Sequence, residues 1–269
     1  ASQPSGSIIS GAGQIDVAKF NFSAGFAAGV TITDLRLLKA GVVSDSAISN
    51  MYLADESGKV VAQYQSLNNG VALFSGLNLM VNAGQTRMYT LRIDLSTGVS
   101  SGNSVGWTLE SATLVGGATG GTVTGLPLTS PSLIVTSVSN PSIASVTMSY
   151  NPVGSSVDAG TNNVLIGSAT ANVSNSAVWL KNIKFTLIGS ATKSDIRNVL
   201  LRINGVDAGS RVATADASGD VFFDLSSNQV KLGTGNNTFE VFADIAGSPN
   251  RTVAVQILRP YDMNRIDCQ

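Results

Sequence analysis

Residues 47–53 read AISNMYL and residues 195–201 read DIRNVLL. Each is a polar turn running into an apolar strand, and Ile48, Asn50 and Leu53 in the first answer to Ile196, Asn198 and Leu201 in the second. Working outward, MYTLRID, ending at Asp94, answers to FEVFADI, which carries Asp244. SVGWTLE at 104–110 answers in turn to TVAVQIL at 252–258. Self-similarity sustained over most of each half marks a chain built from two copies of one module. Repeated modules bind or build more often than they catalyse.

Composition agrees with the repeat. The 269 residues suffice for two domains, each with its own core. The chain is 43% hydrophobic but only 12% charged, with 28 Gly and abundant Ser, Thr, Asn and Val, a mixture suited to short strands and tight turns rather than helices. Net charge is −1 and no run of Lys or Arg occurs, so nucleic acid is not an expected partner. Histidine is absent, which removes the commonest general base and zinc ligand. The single cysteine, Cys268, leaves no intradomain disulfide and no cysteine-rich metal framework. No catalytic residues, cofactor or metal are expected. No stretch of about twenty apolar residues offers a membrane span, and the chain begins at Ala1 without an initiator Met, as a processed secreted protein or an excerpt would.

Strand and turn signals alternate at short spacing. In the first module DVAKFNFS, VTITDLRLL, SNMYLAD, KVVAQYQ, VALFSGLNL, QTRMYTLRID and SVGWTLES read as strands, separated by AGFAAG, DESG, NNG and STGVSSG. Asn69-Gly70 and Asn204-Gly205 are hairpin turns, because both residues of each pair tolerate positive φ. The Gly-rich stretch 113–125 reads as a long hairpin, SPSLIVTS as the closing strand of module one, and 142–150, SIASVTMSY, as the opening strand of module two. The fold class is therefore all-β, two tandem immunoglobulin-like antiparallel β-sandwiches over residues 1–137 and 138–269, joined near Val138 to Pro141.

The stretch AISNMYLADESGKVV, the Gly-led strand ending at Phe74 and the run LNLMVNAGQTRMYTLRIDLS, each with a weaker partner in module two, resemble the tandem immunoglobulin-like domains of prokaryotic surface proteins, of S-layer, adhesin or filament-subunit type. The resemblance covers nearly the whole chain and implies an extracellular building block. The paired cysteines around a core Trp that mark antibody domains are absent.

Matching the copies shows what each lacks. Module one has no counterpart to 142–150, and module two has only LRPYDMNRIDCQ after Ile257 where module one continues to its closing strand. A strand placing three or four apolar side chains in a core contributes roughly 5–10 kcal/mol at about 1.5–3 each, comparable to a whole domain's stability of about 5–15 kcal/mol. One reading is strand addition between subunits, a donor strand from one molecule completing the sandwich of the next. The other is an excerpt from a longer repeat protein. The donor candidates are residues 5–10, with Ile8 and Ile9, and residues 257–266; adjacent Ile8 and Ile9 cannot both enter one face of a sheet.

Strand alternation marks further candidates. Tyr89, Leu91 and Ile93 match Phe239, Val241 and Ala243 as inward positions, so Arg92 and Phe242 face outward. Trp179 falls opposite Thr31 and Leu200 opposite Tyr52, giving module two extra apolar residues on outer faces; Trp107 is core. Subunit-interface candidates are thus Ile8, Ile9, Trp179, Leu200, Phe242 and Cys268, the last able only to cross-link to another molecule, bind something or stay a free thiol. Asn21, Asn172, Asn236 and Asn250 are sequons, which makes a glycan a candidate partner, although chance places as many in so Asn-, Ser- and Thr-rich a chain. The aspartates of DASGD (Asp216, Asp220), with Asp224, read as a turn rather than a calcium loop, and Asp94 and Asp244 as a shared structural feature. The expected function is a secreted or cell-surface structural subunit of a filament or lattice, its partners copies of itself. The alternative is an adhesin or carbohydrate-binding module.

Overall fold

Apolar residues recurring at every second position place one face of each segment on a core and the other in water, which is the demand a sheet meets. In the computed structural model, residues 3–116, 123–136, 145–151, 154, 156–247 and 250–267 are described, and they contain no α-helix, only strands and three short 3-10 turns. The chain divides into two compact units, Ala1–Pro141 and Ser142–Gln269. The junction at Val138 to Pro141, and Cys268, lie outside the described residues.

Module one contains β1 (Ser7–Ile9), β2 (Ile15–Ser23), β3 (Val30–Ala40), β4 (Ile48–Ala54), β5 (Val60–Tyr64), β6 (Val71–Phe74), β7 (Leu79–Val81), β8 (Thr86–Leu95), β9 (Ser104–Gly116), β10 (Leu128–Thr129) and β11 (Leu133–Thr136). One sheet runs β2-β8-β4-β5 and the other β1-β11-β9-β3-β6, with β10 also on β9 and β7 on β3. Setting β2-β8-β4 against β3-β9-β11 reproduces the B-E-D and C-F-G arrangement of an immunoglobulin-like sandwich. One pairing departs from the antiparallel expectation: β1 runs parallel to β11, Ile8 beside Val135. The core between the sheets holds Trp107, Phe20, Leu35, Leu53, Leu91 and Ile93, none more than 1% exposed.

Module two contains β12 (Ser145–Asn151), β13 (Val164–Ser174), β14 (Val178–Gly189), β15 (Ile196–Ile203), β16 (Val206–Val212), β17 (Asp220–Asp224), β18 (Val230–Leu232), β19 (Gly235–Ile245), β20 (Val253–Gln256) and β21 (Met263–Asp267). One sheet runs β12-β13-β19-β15-β16; in the other β14 is central, with β17 and β18 on one side and β20 and β21 on the other. Strands β13 to β19 repeat the pairings of β2 to β8, and β20 and β21, separated by a 3-10 turn at Pro260–Asp262, together stand where β9 stands. Its own core gathers Phe239, Phe223, Phe185, Leu201 and Val241.

Local chemistry fixes the turns. Asn69 (φ 50) with Gly70 (φ 74), and Asn204 (φ 50) with Gly205 (φ 79), adopt the paired positive φ of a type I′ hairpin. After β3 and β14 each module makes one close backbone approach. A Cβ on Gly41 would lie 2.3 Å from the Ser104 carbonyl, and one on Gly189 2.4 Å from that of Thr252, both at positive φ, so only glycine fits.

The copies differ at their edges. Among the described residues β1, β10 and β11 have no counterpart in module two, and β12 has none in module one. The segment 257–266, read as a donor strand, instead supplies β21 to its own sheet, where Met263 pairs with Ile183. Ile8 is 5% exposed in the core of its own module, so the N-terminal strand closes the sandwich that it belongs to.

Candidate functional site: the open edge of the second sandwich

In module one, β11 lies between β9 and β1. Leu133 stands opposite Val105 and Ile134 opposite Ser104, the Val135 amide donates to the Asn103 carbonyl (2.7 Å), and the Gly102 amide donates to Val135 (2.8 Å). Leu133 (2% exposed) and Val135 (0%) point inward and join the cluster that holds Ile48, Leu95 and Val105. Farther along β9 the edge stays occupied: the Ser130 amide donates to the Trp107 carbonyl (2.8 Å), the Trp107 amide donates to the Ser130 hydroxyl (3.1 Å), and Leu128 pairs with Leu109.

Among the described residues, module two has the same floor without the strand. Ile196, Ile245 and Val253 take the places of Ile48, Leu95 and Val105, and Val157 that of Ile8. Ile245 and Val253 are half-buried where their counterparts are buried, and Val157 is 39% exposed. With Ala159, Ala191, Asp195, Gly247, Asn250 and Arg251 they line a cavity of about 80 Å³, several times the roughly 10–15 Å³ that one water needs. Among the described residues β20 pairs with β14 alone. The Thr252 carbonyl accepts the Ser190 and Ala191 amides on the β14 side, so by alternation Arg251, Val253 and Val255 turn their peptide groups to the open side. Asn103, Val105 and Trp107 do the same in module one.

Two side chains close what strands leave open. The Tyr150 hydroxyl donates to the Ile257 carbonyl (2.6 Å) and accepts from the Ile257 amide (2.9 Å). Burial pushes the Tyr150 phenol above its ordinary range, which keeps the proton that it donates. Tyr150 thus does for Ile257 what Leu128 does for Leu109, and the slot ends there. On the open edge of β2, where module two carries β12, the Gln3 amide donates to the Lys19 carbonyl (2.6 Å) and accepts the Lys19 amide (3.0 Å). The rim of the slot is electrostatically self-contained. Arg251 and Asp195, the only charged residues lining it among those described, meet at 2.6 Å. The Thr192 amide and hydroxyl, with Arg251 a smaller cause, hold the Asp195 carboxyl below its usual range.

The other sequence candidates scatter. Trp179 projects from the outer face of β14, 38% exposed with Lys231 over its ring. Phe242 projects from the outer face of β19, half-buried beneath the Arg202 guanidinium at 4.9 Å. They lie on opposed sheets and form no common patch. Leu200 is 3% exposed, not an exposed interface side chain: it is paired with Phe242 across β15 and β19 at a bulge after Arg197. Likewise Arg92, though opposite Tyr52 on the outer face, is 8% exposed, held by Asp16 at 2.7 Å and the Gly58 carbonyl. Of the sequons, Asn21 is exposed on the open edge of β2, Asn250 sits at the slot's rim, and Asn172 donates to Asn236 across β13 and β19 (2.8 Å).

Asp94 and Asp244 are one device used twice. Asp94 accepts the Gln14 amide (2.7 Å) and the Asn50 side chain (3.0 Å); Asp244 accepts the Asn163 amide (2.8 Å) and the Asn198 side chain (2.7 Å). Gln14 and Asn163 both have positive φ, so the carboxylate pins a strained turn before β2 and β13. Asp216 accepts the Ser218 and Asp220 amides as a turn residue does.

No family model matches the chain, and no curated protein matches it. Among solved structures it is similar to the crystal structure of calcium binding domain CBD12 of CALX1.1, at 7% identity and a TM-score of 0.27, covering 95% of this chain and 79% of that one. It is also similar to an anti-sigma factor domain-containing protein, at 9% identity and a TM-score of 0.19, covering 91% and 82%. With TM-scores this low, neither likeness bears on what the chain does.

Proposed function

We propose that the chain is a structural subunit of an extracellular filament or surface lattice, joined to its neighbours by addition of a strand to the second sandwich. The observation that carries this reading is the slot beside β20, a site that module one fills with its own β11. In module one that strand buries Leu133 and Val135, worth about 1.5–3 kcal/mol each, against a typical domain stability of about 5–15 kcal/mol. Among the described residues of module two no strand makes that contribution or pairs with the open side of β20, so a strand supplied by a neighbour would bury the same kind of apolar surface, which offsets the entropy cost of association. An extracellular or cell-surface location belongs to the proposal, as do copies of the chain as partners; no catalysis, cofactor or metal is invoked. The rival reading, an adhesin or carbohydrate-binding module, draws less support, because Trp179 and Phe242 sit on opposed faces and build no stacking platform. Negative-stain electron microscopy and sedimentation of the purified chain test the proposal. Ordered assemblies are expected; a monomer at all concentrations overturns it.

A further inference from the structure

Resting on that reading, we infer that the slot of module two accepts one kind of occupant: an uncharged, extended segment of a neighbouring polypeptide with apolar side chains at alternate positions, adding antiparallel to β20. Module one is the template, because equivalent residues surround a filled site there. Register follows from it. The donor residue that stands as Leu133 does lies opposite Val253, and the one that stands as Val135 does lies opposite Arg251. Both side chains enter the cavity over Ile196 and Ile245. The residue between them faces outward, as Ile134 does at 43% exposure.

The other properties of the occupant follow from the walls. Arg251 and Asp195 neutralise each other at the rim, so a charge on the donor finds no partner and loses its hydration. The Tyr150 hydroxyl occupies the edge at Ile257, which limits pairing to Arg251, Val253 and Val255. Val157 stands where Ile8 flanks Val135 of β11, so the far side of the donor meets an apolar residue again.

The probe is a fluorescent peptide of the module-one closing sequence, SPSLIVTS (residues 130–137), titrated against the full chain. Saturable binding is expected, together with slowed hydrogen exchange at the Val253 and Val255 amides. A peptide carrying aspartate at the positions of Leu133 and Val135 should bind at least tenfold more weakly, as should one with the same residues scrambled out of alternation. On the acceptor side, Val253→Pro removes an edge amide and should abolish binding. Trp179→Phe, on the outer face of β14 and outside the slot, should retain it, and the far-UV circular dichroism of the Val253→Pro chain should match that of the parent. Absence of saturation overturns the inference, as does equal affinity for the aspartate peptide, or protection appearing at Val105 in place of Val253. The outcome stays separable from the filament reading. Peptide binding by a chain that remains monomeric sinks the filament and keeps the slot, whereas assembly of a chain that ignores the peptide keeps the filament and sinks the slot.

Discussion

Truncating Leu133 to alanine removes the inward anchor of β11 from a site 2% exposed. Fully buried Leu→Ala changes cost about 2–5 kcal/mol, transfer and cavity terms together, and a value of about 3 kcal/mol is expected because Val105 and Leu95 beneath it are themselves 0% and 3% exposed. Truncating Val253, the residue that Leu133's counterpart would cover, removes about two methylene equivalents at roughly 0.8 kcal/mol each. Part of that surface is already in solvent, so the loss is about 1 kcal/mol. The chain supplies its own reporters, since Trp107 lies in module one at 0% exposure and Trp179 in module two at 38%. In a Trp179→Phe background the emission of Trp107 reports unfolding of module one alone. With a urea m-value of about 2 kcal/mol per molar, Leu133→Ala lowers that midpoint by roughly 1.5 M. Val253→Ala, followed through Trp179, moves the module-two midpoint by no more than about 0.5 M. A Leu133→Ala shift below about 0.3 M, or equal shifts in the two modules, would refute the assignment of β11 as the strand that one module has and the other lacks.

Three further outcomes are expected. Lys184 lies 3.1 Å from Asp262 and 3.3 Å from Asp220, with the Asp262 side chain 1% exposed; Lys184→Met strands a buried carboxylate and should cost module two about 3–5 kcal/mol at neutral pH. Burial raises the Asp262 pKa, so this loss should shrink as pH falls and the carboxyl protonates, which thermal melts at pH 4 and 7 would reveal. The Asp244 pKa is lowered, chiefly by the Asn198 side chain and then by the Asn163 amide. Its stabilisation is therefore present above the unfolded value of about 3.9 and lost as pH falls through the folded one. Asn198→Ala should return the Asp244 pKa, read by carboxyl NMR, towards its ordinary value and shift acid unfolding of module two to higher pH, leaving module one unmoved. Gly41→Ala places a Cβ against the Ser104 carbonyl at φ +93 and should destabilise module one by about 3 kcal/mol, seen as a lower urea midpoint for Trp107.

The features that local chemistry dictates could be read from the residues. Asn69-Gly70 and Asn204-Gly205 can do little but turn, and the alternation of Tyr89, Leu91 and Ile93 assigns an inner face without reference to anything distant. Asp94 and Asp244 stood out as a matched pair because both copies need the same pin. What escaped depends on partners far along the chain. Nothing in Ser7–Ile9 announces a parallel neighbour at Leu133–Thr136. Leu200 looked exposed because strict alternation was carried through a bulge that buries Val199, Leu200 and Leu201 in succession. The segment 257–266 looked free because a 3-10 turn at Pro260–Asp262 interrupts the match to β9 just before β21 resumes it. The slot itself could only be suspected from a missing strand. Its walls, its boundary at Tyr150 and its paired charges are visible only when residues 150, 157, 195, 245 and 253 are brought together.

The parallel pairing of β1 with β11 has a mechanical side. The chain enters module one at the head of β1 and leaves at the tail of β11, so tension along the polypeptide drags the two strands past one another. The bonds that bracket them, Ile134 amide to Gly6 carbonyl and Ser10 amide to Thr136 carbonyl, both 3.1 Å, then bear load together rather than tearing in sequence. Among the described residues of module two, β12 and β21 belong to different sheets and share no hydrogen bonds. A pull applied through those two strands is therefore expected to open the second sandwich at lower force than the first, a difference that single-molecule force spectroscopy would register.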